Sequence, residues 1–141
     1  MNVKVKLLSE RARVPTYSYE TDACFDFYSI ENITLYPGTQ KLVGTGVAVY
    51  FDPGWEMQIR PRSGLSLKGV MIGNSPGTVD HGFTNEILIN LVHMGEGLVY
   101  IREGDRIAQG ALKPIHKVEF EVVEELPETD RGLGGWGSTG E

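Results

Sequence analysis

The sequence predicts an all-β chain. Short alternating or β-branched runs recur along it, Gly, Pro and Asp clusters separate them, and a helical apolar period is hard to find. Regular strand spacing with such turns fits a sandwich, jelly roll or barrel better than an alternation of strands and helices. The 141 residues leave room for one hydrophobic core and for no second folded domain.

In chain order the predicted strands are Val3–Leu8, Cys24–Ser29, Lys41–Phe51, Trp55–Pro61, Glu86–His93, Leu98–Ile101, Asp105–Pro114 and Lys117–Glu124. In the last, Val118, Phe120 and Val122 alternate with Glu119 and Glu121, which puts three apolar side chains on one face. Turns are marked by Tyr36-Pro37-Gly38, Asp52-Pro53-Gly54, Met94-Gly95-Glu96-Gly97 and Glu103-Gly104-Asp105. One helical turn is predicted at Ser63–Lys68, with Ser63 capping the N–H groups that follow. Beyond Glu125 the chain changes character, and residues 130–141 carry five glycines. Composition alone makes this a flexible tail or linker, although Arg131, Trp136 and the Ser138-Thr139 pair keep a functional reading open. The predicted division is therefore a β domain over 1–125 and a Gly-rich arm over 126–141.

The 40% hydrophobic share is ordinary globular usage, so a core forms without help from metal or disulfides. Cys24 is the only cysteine, which excludes an intrachain disulfide and fits a reducing, cytoplasmic setting. The opening residues lack the apolar core of a secretory signal, and no apolar run approaches the ~20 residues of a membrane span. A net charge of −6 argues against broad attraction to nucleic acid or to an anionic membrane, so neither is an expected partner. A phosphate ligand then requires Arg and backbone N–H groups to converge locally.

Several constellations could do so. Pro61-Arg62-Ser63-Gly64-Leu65 places a guanidinium, a hydroxyl and a glycine at a strand-to-helix junction, which suits an anion site and an ordinary capped turn about equally. Gly77-Thr78-Val79-Asp80-His81-Gly82-Phe83 follows Asn74 and precedes a strand, so it reads as a hairpin whose Asp80 either orients water or bonds its own turn. Asp26 interrupts an aromatic run, opposite in face to Phe25 and Phe27, and either meets solvent or serves a metal. Arg106 and Gln109 fall on opposite strand faces by parity. His81, His93 and His116 lack metal-ligand spacing, and no Gly-x-Ser-x-Gly elbow is present, which disfavours a zinc site and a nucleophilic hydrolase.

Taken together, these segments resemble, in kind, order and separation, the motifs of the trimeric dUTP diphosphatase family. The likeness runs through Ala23-Cys24-Phe25-Asp26-Phe27, Pro61-Arg62-Ser63-Gly64-Leu65-Ser66, Gly77 to Phe83, Gly104-Asp105-Arg106-Ile107-Ala108-Gln109, and Arg131 to Gly140. Cys24 and Asn85 stand where the family usually has glycine, Phe83 where it has tyrosine, and Trp136 where it has phenylalanine. None of these removes a group the chemistry needs.

The resemblance implies a jelly-roll-like β barrel, a homotrimer with active sites shared between subunits, and Mg2+-dependent hydrolysis of dUTP to dUMP and pyrophosphate, which limits uracil in DNA and supplies dUMP for thymidylate synthesis. By the same carry-over Asp80 and Gln109 are catalytic, and Asp26 reaches the metal through water. Arg62, Ser63, Gly64, Asn74, Gly77, Val79, Phe83, Arg131, Trp136, Gly137, Ser138 and Thr139 bind substrate. A carboxylate is a weak base at neutral pH, so Asp80 is expected to orient water and accept its proton late. Two alternatives stand beside this. One is a dCTP deaminase-like enzyme, whose family glutamate ten residues after the motif aspartate is replaced here by Asn90. The other is a non-catalytic nucleotide-sensing module on the same scaffold.

Overall fold

The computed structural model describes residues 2–136 and 138. The chain is all-β and jelly-roll-like, with eleven strands and one helical turn among the described residues. In order these are β1 (Lys4–Leu7), β2 (Phe25–Tyr28), β3 (Ile33–Leu35), β4 (Gln40–Gly44), β5 (Val47–Tyr50), β6 (Trp55–Arg60), α1 (Ser63–Ser66), β7 (Val70–Ile72), β8 (Gly77–Asp80), β9 (Leu88–His93), β10 (Val99–Ile101) and β11 (Arg106–Pro114). A four-stranded sheet of order β2-β11-β6-β8 and a three-stranded sheet of order β4-β9-β7 carry the candidate site, and the pairs β1-β5 and β10-β3 complete the structure. All the pairings are antiparallel.

One cluster of buried side chains joins the sheets, with Phe27, Phe51, Leu35, Met57, Leu91 and Ile107 fully buried. Each such side chain contributes about 1.5–3 kcal/mol relative to an exposed one. Strand alternation delivers them: in β6, Met57 and Ile59 point into the core while Glu56, Gln58 and Arg60 stay on the outer face.

The predicted strand Lys41–Phe51 is two strands. Gly46, at φ +64, turns the chain between β4, which pairs β9, and β5, which pairs β1. A Cβ on Gly46 would lie 2.7 Å from that of Ala12, so both conformation and space demand glycine there. Thr45 Oγ1 donates to the carbonyl of Ile87 at 2.7 Å, and Glu86 Oε1 accepts from the N–H of Gly46 at 2.7 Å, which ties this corner to the strand behind it.

Three other expectations change. Ser63 is the first helical residue and not the cap; Arg62 occupies the cap position in extended conformation, with no side-chain hydrogen bond to the helix. The segment 77–83 is no hairpin: β8 ends at Asp80 and pairs β6, whereas the next strand, β9, pairs β4 and β7, so the turn after Asp80 passes from one sheet to the other. The predicted strand Lys117–Glu124 does not form. Val118, Phe120 and Val122 are 67%, 93% and 98% exposed, because no strand among the described residues lies beside them to pair with. The last backbone tie of this segment to the body is Ile115 N–H to the carbonyl of Gly54, at 2.9 Å.

Candidate active site

Two polar clusters form, one on the outer face of the four-stranded sheet and one where its edge strand β8 meets β9 of the three-stranded sheet. The first gathers at one corner. Asp26 of β2 lies directly opposite Gln109 of β11, which lies opposite Arg60 of β6, and directly paired residues share a face. Arg62, two residues past the end of β6, donates through Nε to Asp26 Oδ1 at 2.8 Å. Arg106 Nη1 lies 3.4 Å from Asp26 Oδ2 and donates to Ser18 Oγ at 3.0 Å, while Ser18 Oγ donates to Asp26 Oδ2 at 3.2 Å. Asp26 is only 6% exposed, so its charge is held out of water by these partners.

Arg106 and Gln109 therefore share one face, contrary to strand parity. The register shifts between Arg106 and Ala108, and this β-bulge adds the one residue that turns Arg106 back toward Asp26. Gln109 Nε2 donates to the carbonyl of Pro61 at 2.8 Å, which ties β11 to the Arg62 junction and leaves Oε1 as a free acceptor. Ser18, Asp22, Ala23 and Cys24 wall the same hollow. Ser18 has no functional signal in the sequence, since it sits in an unpatterned polar segment, and for Arg106 the sequence shows the motif but not the bulge that aims it at Asp26.

At this corner the first turn of α1 presents donors. Arg62's carbonyl accepts from Leu65 and Ser66, but no hydrogen bond from the N–H of Ser63 or Gly64, nor from the Ser63 hydroxyl, is present among the described residues. A Cβ on Gly64 would meet nothing within 4 Å, so the space over it is open. Two guanidiniums, one buried carboxylate and free N–H groups make the corner receptive to an anion.

The second cluster is a hollow of about 210 Å³ between β8 and β9. Asn74, Gly77, Asp80, Phe83 and Asn90 line it, above an apolar floor that includes Ile59 and Ile89. Val79 is 7% exposed and its side chain joins the core, so only its backbone can meet a ligand. Because β8 is the sheet edge, half of its backbone polar groups face no neighbouring strand. His81 Nδ1 lies 2.6 Å from the carbonyl of Phe51, pinning the turn after β8 to the body. Phe83 is 42% exposed.

The two clusters do not meet within one protomer. Asp80 pairs with Glu56 and Gln109 with Arg60, four residues apart on β6 and two strands apart laterally. At ~3.3 Å per residue and ~4.8 Å per strand, their Cα atoms lie about 16 Å apart, too far for both side chains to touch one water.

The arm residues are likewise separate. Trp136 is fully exposed, and Arg131 Nε donates to the carbonyl of Gly134 within the arm, at 3.0 Å. Ser138 N–H donates to the carbonyl of Gly135 at 3.1 Å. Gly137 and Thr139 lie outside the described residues. For a metal, no group of three or more His, Cys, Asp or Glu side chains converges among the described residues. Asp26, already engaged by two guanidiniums, fits contact through water with a cation brought in on phosphates better than direct ligation.

Nearly the whole chain is similar to known proteins. The dUTPase family model matches residues 10–140. The deoxyuridine 5'-triphosphate nucleotidohydrolase of Nautilia profundicola is 43% identical over 99% of this chain and 99% of its own, and that of Clostridium tetani is 46% identical over 98% and 96%. The solved structure of Staphylococcus bacteriophage 80alpha dUTPase with dUpNHpp superposes with a TM-score of 0.91 at 31% identity, covering 99% of both chains. A mutant dUTPase from phage phi11 of S. aureus, solved to show the coordination of a structural Mg(II) ion, has a TM-score of 0.83 at 29% identity over 91% of this chain and 100% of its own. On the family match, the relatives and the fold together, the chain belongs to the dUTPase family.

Proposed function

We propose that this protein hydrolyses dUTP to dUMP and pyrophosphate as a homotrimer whose active sites join groups from different subunits. The observation that carries this reading is the split site. An anion-receptive corner with Arg62, Ser63, Gly64 and Gln109 and a base-sized hollow with Asp80 stand apart, with the Cα atoms of Gln109 and Asp80 about 16 Å from each other, so a second copy must bring the halves together. The exposed stripe Val118, Phe120 and Val122 supports assembly as well, since it is an unpaired strand pattern left for a neighbour.

In the assembled site Asp80 holds a water and aims it at the α-phosphorus. Gln109 Oε1, free because Nε2 is tied to Pro61, accepts the water's second hydrogen. As the oxygen attacks, its proton passes to Asp80 and the bond to the pyrophosphate oxygen breaks. Arg62, the Ser63 hydroxyl and the N–H of Gly64 hold the leaving oxygens where charge develops. Asp26 would hold, through water, a magnesium ion bound to the phosphates, which would supply charge neutralisation there.

Asn74 and the backbone of Gly77 and Val79 read the uracil edge, while Phe83 packs on the deoxyribose and crowds a 2′-hydroxyl. Residues 126–141 act as an arm that closes the site: Arg131, Gly137, Ser138 and Thr139 over the phosphates, Trp136 over the base. No helix among the described residues is long and apolar enough to cross a membrane, and the reading places the enzyme in the cytoplasm with its nucleotide substrate.

The test is pyrophosphate release from dUTP, dCTP, UTP and dTTP in magnesium. Release from dUTP well above the other three supports the reading. No release from dUTP favours a sensing module, and ammonia from dCTP favours a deaminase.

A further inference from the structure

The hollow beside Asp80 holds two carboxamides, Asn74 and Asn90, a second carboxylate, Glu86, whose Oε1 accepts from the N–H of Gly46, and no side-chain cation. Neither carboxamide has a hydrogen-bond partner among the described residues. Asn90 is only half exposed to solvent, so its polar atoms are partly desolvated without compensation.

Each amide is also seated against a glycine. A Cβ on Gly73 would lie 2.7 Å from Asn90 Nδ2, and a Cβ on Gly77 would lie 3.2 Å from Asn74 Nδ2. Gly73 has ordinary backbone conformation, so it is the Asn90 amide and the neighbouring Val92 methyl that leave no room for a side chain there. The backbone holds the arrangement: Gly73 N–H donates to the carbonyl of Asn90 at 2.9 Å, and Asn90 sits opposite Leu42 in the centre of the three-stranded sheet. The Asn90 side chain is thus fixed at its root, with an uncommitted N–H donor at the mouth of the hollow.

We propose that Asn90 is a specificity-determining residue of the base pocket, donating through Nδ2 to a ring carbonyl of the pyrimidine. The inference deepens the base-pocket assignment above and rests on it. Two free amide donors over an apolar floor suit a flat ring rich in carbonyl acceptors. With the amide held Nδ2 toward the ring, an exocyclic amine in place of the carbonyl leaves both groups unpaired, a stronger penalty than a missing methylene, unless the amide turns its oxygen inward. Asn90 then works beside Asn74, through ground-state binding of the base and not through the phosphorus chemistry.

The experiment is a cycle between residue and atom. Affinity for dUMP, 2-thio-dUMP and 4-thio-dUMP is measured by calorimetry on the assembled wild-type protein and on Asn90→Val, because sulfur is a poor acceptor at one chosen carbonyl. In the wild type, one of the two thio analogues should bind about threefold to tenfold more weakly than dUMP, the usual worth of one hydrogen bond. In Asn90→Val that loss should vanish while the loss on the other analogue stays as in the wild type. KM for dUTP should rise by a similar factor with kcat within twofold.

If Asn90→Val does not assemble, Asn90→Ser, too short to reach, is read in the same way. Equal losses on both analogues in wild type and variant overturn the role of Asn90. A wild type that binds no dUMP overturns instead the base-pocket reading on which it rests.

Discussion

Arg62 and Asp26 form the pair on which the candidate site turns: Nε to Oδ1 at 2.8 Å, with Asp26 side-chain exposure at 9% and that of Arg62 at 25%. Arg62 comes from the strand-to-helix junction and Asp26 from a strand two positions across the sheet, so the pair locks the phosphate corner to the body. It also commits the guanidinium's Nε and leaves its terminal nitrogens to bind an anion.

Removing the carboxylate leaves two guanidiniums facing each other without a counter-charge. Asp26→Asn should cost about 3 kcal/mol of stability, the usual scale for breaking a buried ion pair. Urea unfolding of Asp26→Asn, Arg62→Gln and the double variant checks this, and the double should lose less than the sum of the singles.

Arg62→Lys keeps the charge but not the planar fork. Its kcat/KM for dUTP should fall at least tenfold, because an ammonium cannot bond Asp26 and a phosphate with the same geometry. Steady-state pyrophosphate release measures it, and wild-type kcat/KM in Arg62→Lys would mean that the fork is not used.

Gly46→Ala tests the corner between β4 and β5. A side chain there is strained at φ +64 and meets Ala12 at 2.7 Å, so the variant should lose about 2 kcal/mol or more. A melting temperature within a degree of wild type would show that the corner relaxes without cost.

Trp136 is fully exposed in the protomer, so an arm that closes over bound nucleotide must change its surroundings. A non-hydrolysable dUTP analogue with magnesium should quench tryptophan emission. The quench should survive Trp55→Phe and disappear in Trp136→Phe. Trp136→Ala should lose activity, since stacking on a base is worth ~1–3 kcal/mol, whereas Trp136→Phe should keep most of it.

Much of this was legible in the sequence because strand alternation and turn chemistry are local. Met57 and Ile59 in β6 alternate with Glu56, Gln58 and Arg60, and the turn glycines at Gly38, Gly54, Gly97 and Gly104 all have positive φ. What was not legible depends on contacts between distant segments. The break at Gly46 is set by Ala12 and by the two different strands that β4 and β5 pair with. Strands β3 and β7 are three residues each, too short to show alternation. The shared face of Arg106 and Gln109 follows from a bulge that parity counting cannot see. The alternation of Val118, Phe120 and Val122 is real, but no strand among the described residues is there to use it.

The most direct test of the central claim, one site built from two chains, mixes Asp80→Asn with Arg62→Ala. Each defect lies on a different half of the site, and each parent alone should be nearly inactive. After subunit exchange at equal ratio, a site is intact when its Asp80 comes from an Arg62→Ala chain and its Arg62 from an Asp80→Asn chain. One half times one half makes about a quarter of the sites intact, so the mixture should recover about a quarter of wild-type dUTP turnover. No recovery, with exchange demonstrated by mass spectrometry of the mixed oligomers, would contradict the shared site.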